Sequence, residues 1–147
     1  MERGRYQTDL LGCGSCHTDG ALIGEPNAAR LLAGSEVGIA RSNPLVESKP
    51  GVVYPSNITP DRETGIGDWT LQEIVTLLQS GIDNHGRQTL LVMPWLAYSR
   101  LLPEDAMAIA MYLKSLPPVK HQVPANVRPG QRATAPFIHF GIYRRRQ

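Results

Sequence analysis

The chain has 147 residues, of which 41% are hydrophobic and 19% are charged, and its formal net charge is +2. This length and composition suit one globular domain with a buried core and exclude a disordered chain. No run of about 20 apolar residues occurs, so no segment is predicted to span a bilayer, and no predicted helix has the basic face of a nucleic-acid-binding protein.

The first predicted element is a short helix over Arg3 to Leu11, with Tyr6 and Leu10 on one side. Gly12 is the expected stop, because glycine readily ends a helix. The first five residues include charges, but no apolar stretch follows them, so they do not form a signal peptide.

Directly after Gly12 comes the pentapeptide Cys13-Gly14-Ser15-Cys16-His17, which contains both cysteines of the chain. The spacing C-x-x-C-H is the attachment signal for a c-type haem: each thiol adds across one vinyl group of the porphyrin, and the adjacent imidazole ligates the iron. The cofactor prediction is therefore one covalent haem c. Because such haems are attached outside the bacterial cytoplasm, the motif also predicts a periplasmic protein whose export signal has been removed or replaced.

Two other interpretations of the cysteine pair are weaker. A redox-active C-x-x-C pair of the thioredoxin type would need a βαβ setting that the sequence does not indicate. Half of a zinc site would need two further good ligands close by. With both cysteines used by the haem, no structural disulfide can form.

The region Thr18 to Val53 is rich in glycine, proline and small polar residues, and it has no sustained hydrophobic period. It is predicted to be loop, with a helical turn at Asn27 to Ala33. Three helical segments follow: one capped by Thr70 and ended by Gly81, a turn over Pro94 to Tyr98, and a helix over Pro103 to Leu116.

The absence of an alternating strand pattern predicts an all-α fold, with three to five helices and long loops around one haem. Residues 1–119 would form the haem domain and residues 120–147 an extended basic tail. From Pro117 onward the chain holds six of its fifteen Lys and Arg residues and no Asp or Glu. The tail also carries an apolar cluster, Phe137 to Phe140.

The residue opposite His17 on the iron decides the function, because a closed haem transfers electrons whereas an open one binds small molecules. The candidates are Met93, Met107, Met111, His85, His121 and His139. Methionines on a helix stripe are more often core, and the three histidines could simply be solvated. Met93 lies between two helices and precedes Pro94, which restricts it to extended backbone and could present it rigidly.

Four further segments, together with the haem motif, make the chain resemble the class I c-type cytochromes. More narrowly, the chain resembles the haem domains of bacterial dehydrogenase cytochrome subunits of the alcohol and gluconate dehydrogenase type. The matching segments are Arg3 to Tyr6, Asn57 to Asp61 with Thr64 to Trp69, Met93 to Trp95, and Tyr112 to Pro118.

The resemblance implies a cytochrome c-like fold, so that residues 1–119 would form a cytochrome c domain. It implies His17 as the proximal ligand and Met93 as the distal ligand. It also implies that Gly4 and Tyr6 of the first helix cross Tyr112 of the last one. The family's subunits commonly carry several haems, whereas this chain has a single motif, and the insert Leu32 to Pro50 and the basic tail are not matched.

Residues around the cofactor can be nominated from their chemistry. His17 should donate its second ring nitrogen to a backbone carbonyl, that of Gly24 or Pro26. Asn57 and Trp69 offer donors to the haem propionates, although core packing explains Trp69 equally well. Charge could come from Arg30 or Arg62. Apolar contacts are expected from a further set of residues, which comprises Leu22, Ile58, Leu78, Leu91, Trp95 and Leu101.

The leading functional hypothesis is an electron carrier, not an enzyme, which takes electrons from a periplasmic dehydrogenase and passes them to a cytochrome or oxidase. The alternative is a haem enzyme of peroxidase type, or a gas sensor, with an open sixth position in which His85 or His121 acts as an acid or base. The basic tail could join the chain to a larger complex, or it could be a solvated terminus.

Overall fold

The computed structural model describes residues 1–42, 48–90 and 92–141. Leu91, nominated as an apolar haem contact, and the arginines at 144–146 lie outside these described residues. Backbone contacts divide the chain into two units. The helical unit comprises Met1–Cys13 with Ile58–Lys120, and the sheet unit comprises Gly14–Asn57 with His121–Gln147.

Over its described residues, the helical unit contains four α-helices. They are α1 (Glu2–Leu10), α3 (Leu71–Ser80), α4 (Trp95–Tyr98) and α5 (Pro103–Ser115). A fifth, α2 (Cys13–His17), holds the cysteine motif. The four helical segments predicted in this unit are therefore confirmed, with ends that differ by at most one residue. The turn predicted at Asn27 to Ala33 is a shorter 3₁₀ turn over Ala28–Arg30.

Helices α1 and α5 pack with their backbones in close contact at Gly4. A Cβ atom on Gly4 would lie 2.0 Å from the carbonyl oxygen of Ala108 and 2.8 Å from Cβ of Tyr112. The predicted crossing of Gly4 and Tyr112 is thus confirmed. Tyr6 does not share it: two residues correspond to about 200° of helix rotation, and the Tyr6 side chain is 61% exposed.

A polar contact supports the same helix pair. The Arg3 guanidinium donates to the carboxylate of Asp105 over 2.6 Å, and the Gln7 amide donates to the same oxygen over 3.1 Å. Asp105 is buried among the apolar residues that α5 turns inward, which include Ala106 and Ile109. The pair also raises the pKa of Arg3, first through the hydrogen bond and then through the charge of Asp105.

Helix α3 begins and ends with the signals that its sequence contains. The Thr70 hydroxyl accepts from the Glu73 backbone N–H, and the Glu73 carboxylate accepts from the Thr70 N–H, which completes a capping box. Gly81 ends the helix at φ 71°, where a residue without a side chain is favoured.

Where the structure describes it, the sheet unit contains three short strands, so the all-α prediction is only partly correct. The strands are β1 (Gly38–Ser42), β2 (Val52–Val53) and β3 (Phe137–Gly141), arranged in the order β2-β1-β3. β1 pairs antiparallel with β2, and parallel with β3 in the register Ile39 to Ile138. Gly38, Ile39 and Ala40 are all buried. Because apolar and polar residues do not alternate there, β1 could not be recognised from the sequence.

A small core lies against this sheet. It consists of the buried Ala40, Val52 and Tyr54, with three residues from the C-terminal segment packed on them, namely Val127, Ala133 and Ala135. The Tyr54 hydroxyl donates to the Ala135 carbonyl over 3.0 Å. The basic C-terminal segment is therefore part of a packed unit over its described length. Among the helices described, none combines the length and the apolar composition needed to cross a membrane.

Candidate haem-attachment site

The cysteine motif forms a helix of its own. α2 spans Cys13–His17 and follows Gly12, whose φ of 69° breaks the direction of α1 as the sequence predicts. Cysteines three positions apart on a helix project from the same side, which is the arrangement two neighbouring vinyl groups require. The two cysteines are thiols and are not joined in a disulfide.

His17 ends α2 in an orientation that suits metal binding. Its Nδ1 lies 2.7 Å from the backbone carbonyl of Ser56. Because a carbonyl oxygen only accepts, Nδ1 carries the hydrogen, and in the neutral ring Nε2 presents a lone pair. Burial lowers the pKa of His17, against the opposing effect of the Ser56 carbonyl, and so favours this neutral form.

The acceptor for His17 was predicted to be the carbonyl of Gly24 or Pro26, which is wrong. Ser56 lies 39 residues further along the chain, and the only sequence signal for it is its position directly before the segment Asn57 to Asp61. Gly24 lies instead at the end of a 3₁₀ turn over Ala21–Ile23.

A second set of hydrogen bonds holds the chain that leaves α2. The Gly34 N–H donates to the His17 carbonyl over 2.8 Å, and the Leu32 N–H donates to the Thr18 hydroxyl over 3.1 Å. Gly34 has φ 87°, and a Cβ there would lie 2.8 Å from the Asn57 nitrogen. These residues, which sequence reasoning did not single out, fix the backbone on which His17 is carried.

The structure places Asn57 in the same unit as His17. Its side chain is 2% exposed, and it follows Ser56, whose carbonyl orients the imidazole. Arg30, one of two cations nominated for the propionates, makes ion pairs with Asp19 and Glu36. Arg62, the other, is largely exposed and lies 3.5 Å from Asp68.

Met93, Trp95 and Trp69 lie in the helical unit. Met93 is half-buried and stands in a tight turn, since its N–H donates to the Leu90 carbonyl and its own carbonyl accepts from the Trp95 N–H over 2.8 Å. Trp69 is half-buried directly before the N-cap of α3.

Trp95 anchors the turn that carries Met93. The Trp95 indole donates to the Thr89 carbonyl over 3.2 Å. Its ring packs on Gly81, where a Cβ would lie 2.6 Å from the indole. The turn before α4 is thus fastened to the end of α3.

The other candidate ligands have different surroundings. His85 is exposed in a loop, Met111 is 46% exposed on α5, and Met107 is half-buried on the same helix. His139 lies on β3 with its ring 6.3 Å from that of Phe137. His121 is buried and hydrogen-bonded through both ring nitrogens.

The donor set fits a covalent haem. Two thiols on one helical turn, neither used in a disulfide, precede an imidazole whose second nitrogen is held by a backbone carbonyl. Metal-binding histidines are commonly oriented by such a contact.

Comparison with known proteins points to the same chemistry. The chain is 34% identical over 123 residues to the cytochrome c subunit of a quinone alcohol dehydrogenase of Gluconobacter oxydans, covering 83% of the chain and 23% of that subunit. It is 35% identical over 113 residues to the fructose dehydrogenase cytochrome subunit of Gluconobacter japonicus, covering 77% and 20%. It is 33% identical over 126 residues to one of the subunits of a nicotinate dehydrogenase of Pseudomonas putida, covering 86% and 9%.

The chain therefore spans less than a quarter of the length of these relatives. No protein-family profile matches it. The resemblance to the haem domains of dehydrogenase cytochrome subunits, predicted from five short segments, is confirmed by similarity across most of the chain.

Proposed function

We propose that the chain is a mono-haem c-type cytochrome domain that transfers one electron at a time. The observation that carries this proposal is the helix α2, with two cysteine thiols and a histidine oriented by the Ser56 carbonyl. The bound haem would supply the one-electron iron couple, and the chain itself would catalyse no substrate reaction. Relatives that are cytochrome subunits of dehydrogenases support this assignment.

His17 and Met93 are the proposed axial ligands. A thioether is a soft ligand that favours ferrous over ferric iron, so the pair gives a higher potential than two histidines. The turn that holds Met93 is attached through Trp95 to Thr89 and Gly81. This supports the choice, because it restrains the backbone that carries the thioether.

Three further residues are proposed to contact the cofactor. Asn57 and Trp69 would donate to the propionates, and Trp95 would give an apolar wall. An apolar wall excludes water and lowers the local dielectric, which disfavours the additional positive charge of ferric iron. Asn57 is suited to its role because it is buried and directly follows Ser56, whose carbonyl orients His17.

The proposed place of this reaction is the periplasm, between a dehydrogenase as electron donor and a cytochrome or oxidase as acceptor. Covalent haem attachment outside the cytoplasm supports the compartment. The names of the relatives support the donor: they are subunits of alcohol and fructose dehydrogenases.

The experiment is to produce the chain in a bacterial host that attaches haem c and to record its mass and spectra. We expect one haem per chain and a low-spin ferric spectrum with the weak red-end band of sulfur ligation. Met93→Ala should abolish that band, whereas Met107→Ala should leave it. A high-spin ferric wild type that binds carbon monoxide or cyanide tightly would instead identify an open-site haem enzyme or gas sensor.

The basic C-terminal segment is proposed to attach the chain to an acidic partner in a larger complex. Arg128 and Arg132 are exposed there, and the segment from Pro117 carries no acidic residue. Deleting the segment is a poor test, because Val127, Ala133 and Ala135 pack on the core of the sheet unit.

Variants that remove the positive charges but keep the segment leave this packing in place. The double variant Arg128→Gln with Arg132→Gln should slow electron transfer from the partner dehydrogenase at low salt and have little effect at high salt. Arg100→Gln, an exposed arginine of the helical unit, is the control. Equal rates for all three proteins at low salt would contradict the docking role.

A further inference from the structure

Lys114 joins the last helix of the helical unit to the turn that leads into α3. It lies in the last turn of α5. Its Nζ donates to the Gly67 carbonyl over 2.6 Å and to the Ile66 carbonyl over 3.1 Å, across 47 and 48 residues of sequence. Bonds from a charged donor are shorter and stronger than those between neutral groups. The side chain therefore attaches α5 to residues 66–69, the Ile66 turn.

The backbone of the Ile66 turn has its remaining hydrogen bonds within its own loop. The Ile66 N–H donates to the Thr59 carbonyl over 2.9 Å, and the Gly67 N–H donates to the Asp61 carbonyl over 3.0 Å. The loop thus satisfies the two N–H groups, whereas Lys114 binds the two carbonyls of the same residues. Ile66 is 6% exposed, and a polar group without a partner in such surroundings is costly.

Trp69 is the residue whose position the Ile66 turn sets. Its N–H donates to the Ile66 carbonyl over 3.1 Å, so one oxygen accepts from both Trp69 and Lys114. On its other side, Trp69 directly precedes Thr70, the N-cap of α3. The backbone of Trp69 is therefore held by a turn at one end and by the start of a helix at the other, and Lys114 binds the turn.

The two tryptophans of the chain differ in their indole N–H groups. The Trp95 indole donates to the Thr89 carbonyl. The Trp69 indole has no acceptor within the described residues, although Trp69 is half-buried and a tryptophan N–H in such surroundings ordinarily has a partner. An indole only donates and a carboxylate only accepts, so a carboxylate such as a haem propionate is a suitable partner.

Two simpler explanations of Lys114 do not account for its contacts. The helix dipole favours a lysine near a helix end, but it does not direct the ammonium to carbonyls of a distant turn. Lys114 also differs from one half of an ion pair. Over the described part of the chain, no carboxylate pairs with it, whereas Lys120 pairs with Glu63 over 2.5 Å and both of those side chains are exposed.

We infer that Lys114 is a positioning residue for the haem: it holds the Ile66 turn so that the Trp69 indole presents its N–H to a propionate. This inference rests on the proposed haem function. A hydrogen bond offsets part of the negative charge of a propionate, and negative charge near the iron favours the ferric state. Loss of the bond should therefore lower the reduction potential. Trp69→Phe removes the donor itself, and Lys114→Met removes its support.

The test is a double-mutant cycle on the reduction potential of the haem-loaded protein, measured at one fixed pH. We expect Lys114→Met and Trp69→Phe each to lower the potential. The shift caused by Lys114→Met should be much smaller in the Trp69→Phe background than in the wild type. Lys120→Met removes the same charge from an exposed ion pair and should leave the potential near that of the wild type.

Two results of the cycle overturn the inference. One is an unchanged potential in Lys114→Met. The other is a Lys114→Met shift of equal size in both backgrounds, because Lys114 would then act through its own charge or through stability and not through Trp69.

The indole N–H signals in NMR spectra of the ferrous protein give an independent readout. The Trp69 N–H should exchange slowly with solvent in the wild type and faster in Lys114→Met, while the Trp95 N–H keeps its rate as an internal control. Equal Trp69 exchange rates in the two proteins contradict the inference. If Lys114→Met does not fold, Lys114→Gln, which retains a donor for one carbonyl, takes its place in both measurements.

Failure of the proposed function gives different results. A preparation with no haem on Cys13 and Cys16 by mass contradicts the cytochrome assignment itself. A Trp69→Phe potential equal to that of the wild type removes the propionate contact, and this inference with it, but leaves the assignment in place.

Discussion

The helical unit and the sheet unit both depend on a glycine at a close backbone contact, but the two positions make different demands. Gly4 needs only the absence of a side chain, because it lies within a regular helix against the Ala108 carbonyl. Gly34 needs that absence and also a left-handed backbone, with φ 87°. Its Cβ would meet atoms of Pro55, Asn57 and Val123.

The difference shows how each unit is stabilised. In the helical unit, the contact is one crossing between two helices, supported by the Arg3–Asp105 pair and by an apolar face of α5. In the sheet unit, segments distant in the chain meet at Gly34, so one position carries steric, conformational and hydrogen-bonding requirements together. Substitutions at the two glycines should therefore differ in size and in their effect on the haem.

Gly34→Ala should produce the largest effect. A left-handed alanine and close contacts of 2.5 to 2.9 Å with three neighbours together predict a loss of about 4 kcal/mol in the free energy of unfolding. The variant should also change the haem spectrum, since the Gly34 N–H binds the His17 carbonyl. Denaturant unfolding measures the first effect. Gly24→Ala, with φ 81° but open space around its Cβ, is the matched control for backbone strain and should lose far less.

Gly4→Ala should be the next in size. Its Cβ would overlap the Ala108 carbonyl, which forces α1 away from α5, at a cost of about 2 to 3 kcal/mol after the gain of about 1 kcal/mol in helix propensity. The potential and spectrum should change little if the loss is confined to the contact between α1 and α5, which includes neither His17 nor Met93. Arg5→Ala, on the exposed side of the same helix, is the control. Unfolding at the wild-type denaturant concentration would contradict the close helix contact.

The contrast between the two units also explains which parts of the fold could be predicted from the sequence. The helices have their signals within a few residues: Thr70 and Glu73 begin α3, Gly81 ends it, and Pro103 begins α5. Propensity, capping and the 3.6-residue period act along one segment, so they can be recognised without the rest of the fold.

The sheet and the orientation of His17 depend instead on contacts distant in sequence. Gly38, Ile39 and Ala40 of β1 are all buried, so this part of the strand shows no alternation. β1 also pairs with a strand almost a hundred residues later. The carbonyl that holds His17 lies 39 residues away, and no local pattern could select Ser56 over Gly24. Burial and pairing between distant segments decide such features.

Thr70→Ala tests the local stabilisation of the helical unit. Removing the hydroxyl breaks the capping box and leaves the Glu73 N–H without its acceptor, which should cost about 1 kcal/mol in unfolding free energy. Because the loss is confined to the first turn of α3, the sheet unit should keep its amide-exchange protection. Thr76→Ala, at an exposed position inside the same helix, should be neutral or slightly stabilising. Equal losses in the two variants would show that the cap is not the cause.

Glu36→Gln tests the electrostatic stabilisation of the sheet unit and should have the smallest effect at neutral pH, because solvent screens the half-exposed carboxylate. Hydrogen bonds from Arg30 and His121 lower the pKa of Glu36, so its contribution is present above the ordinary glutamate range and is lost as the pH falls through the lowered value. Urea unfolding of the wild type should therefore show a loss of stability on acidification that is smaller in Glu36→Gln. The exposed Glu25, changed to Gln, is the control. If the wild type and Glu36→Gln lose the same stability on acidification, the Glu36 carboxylate does not stabilise the sheet unit through its charge.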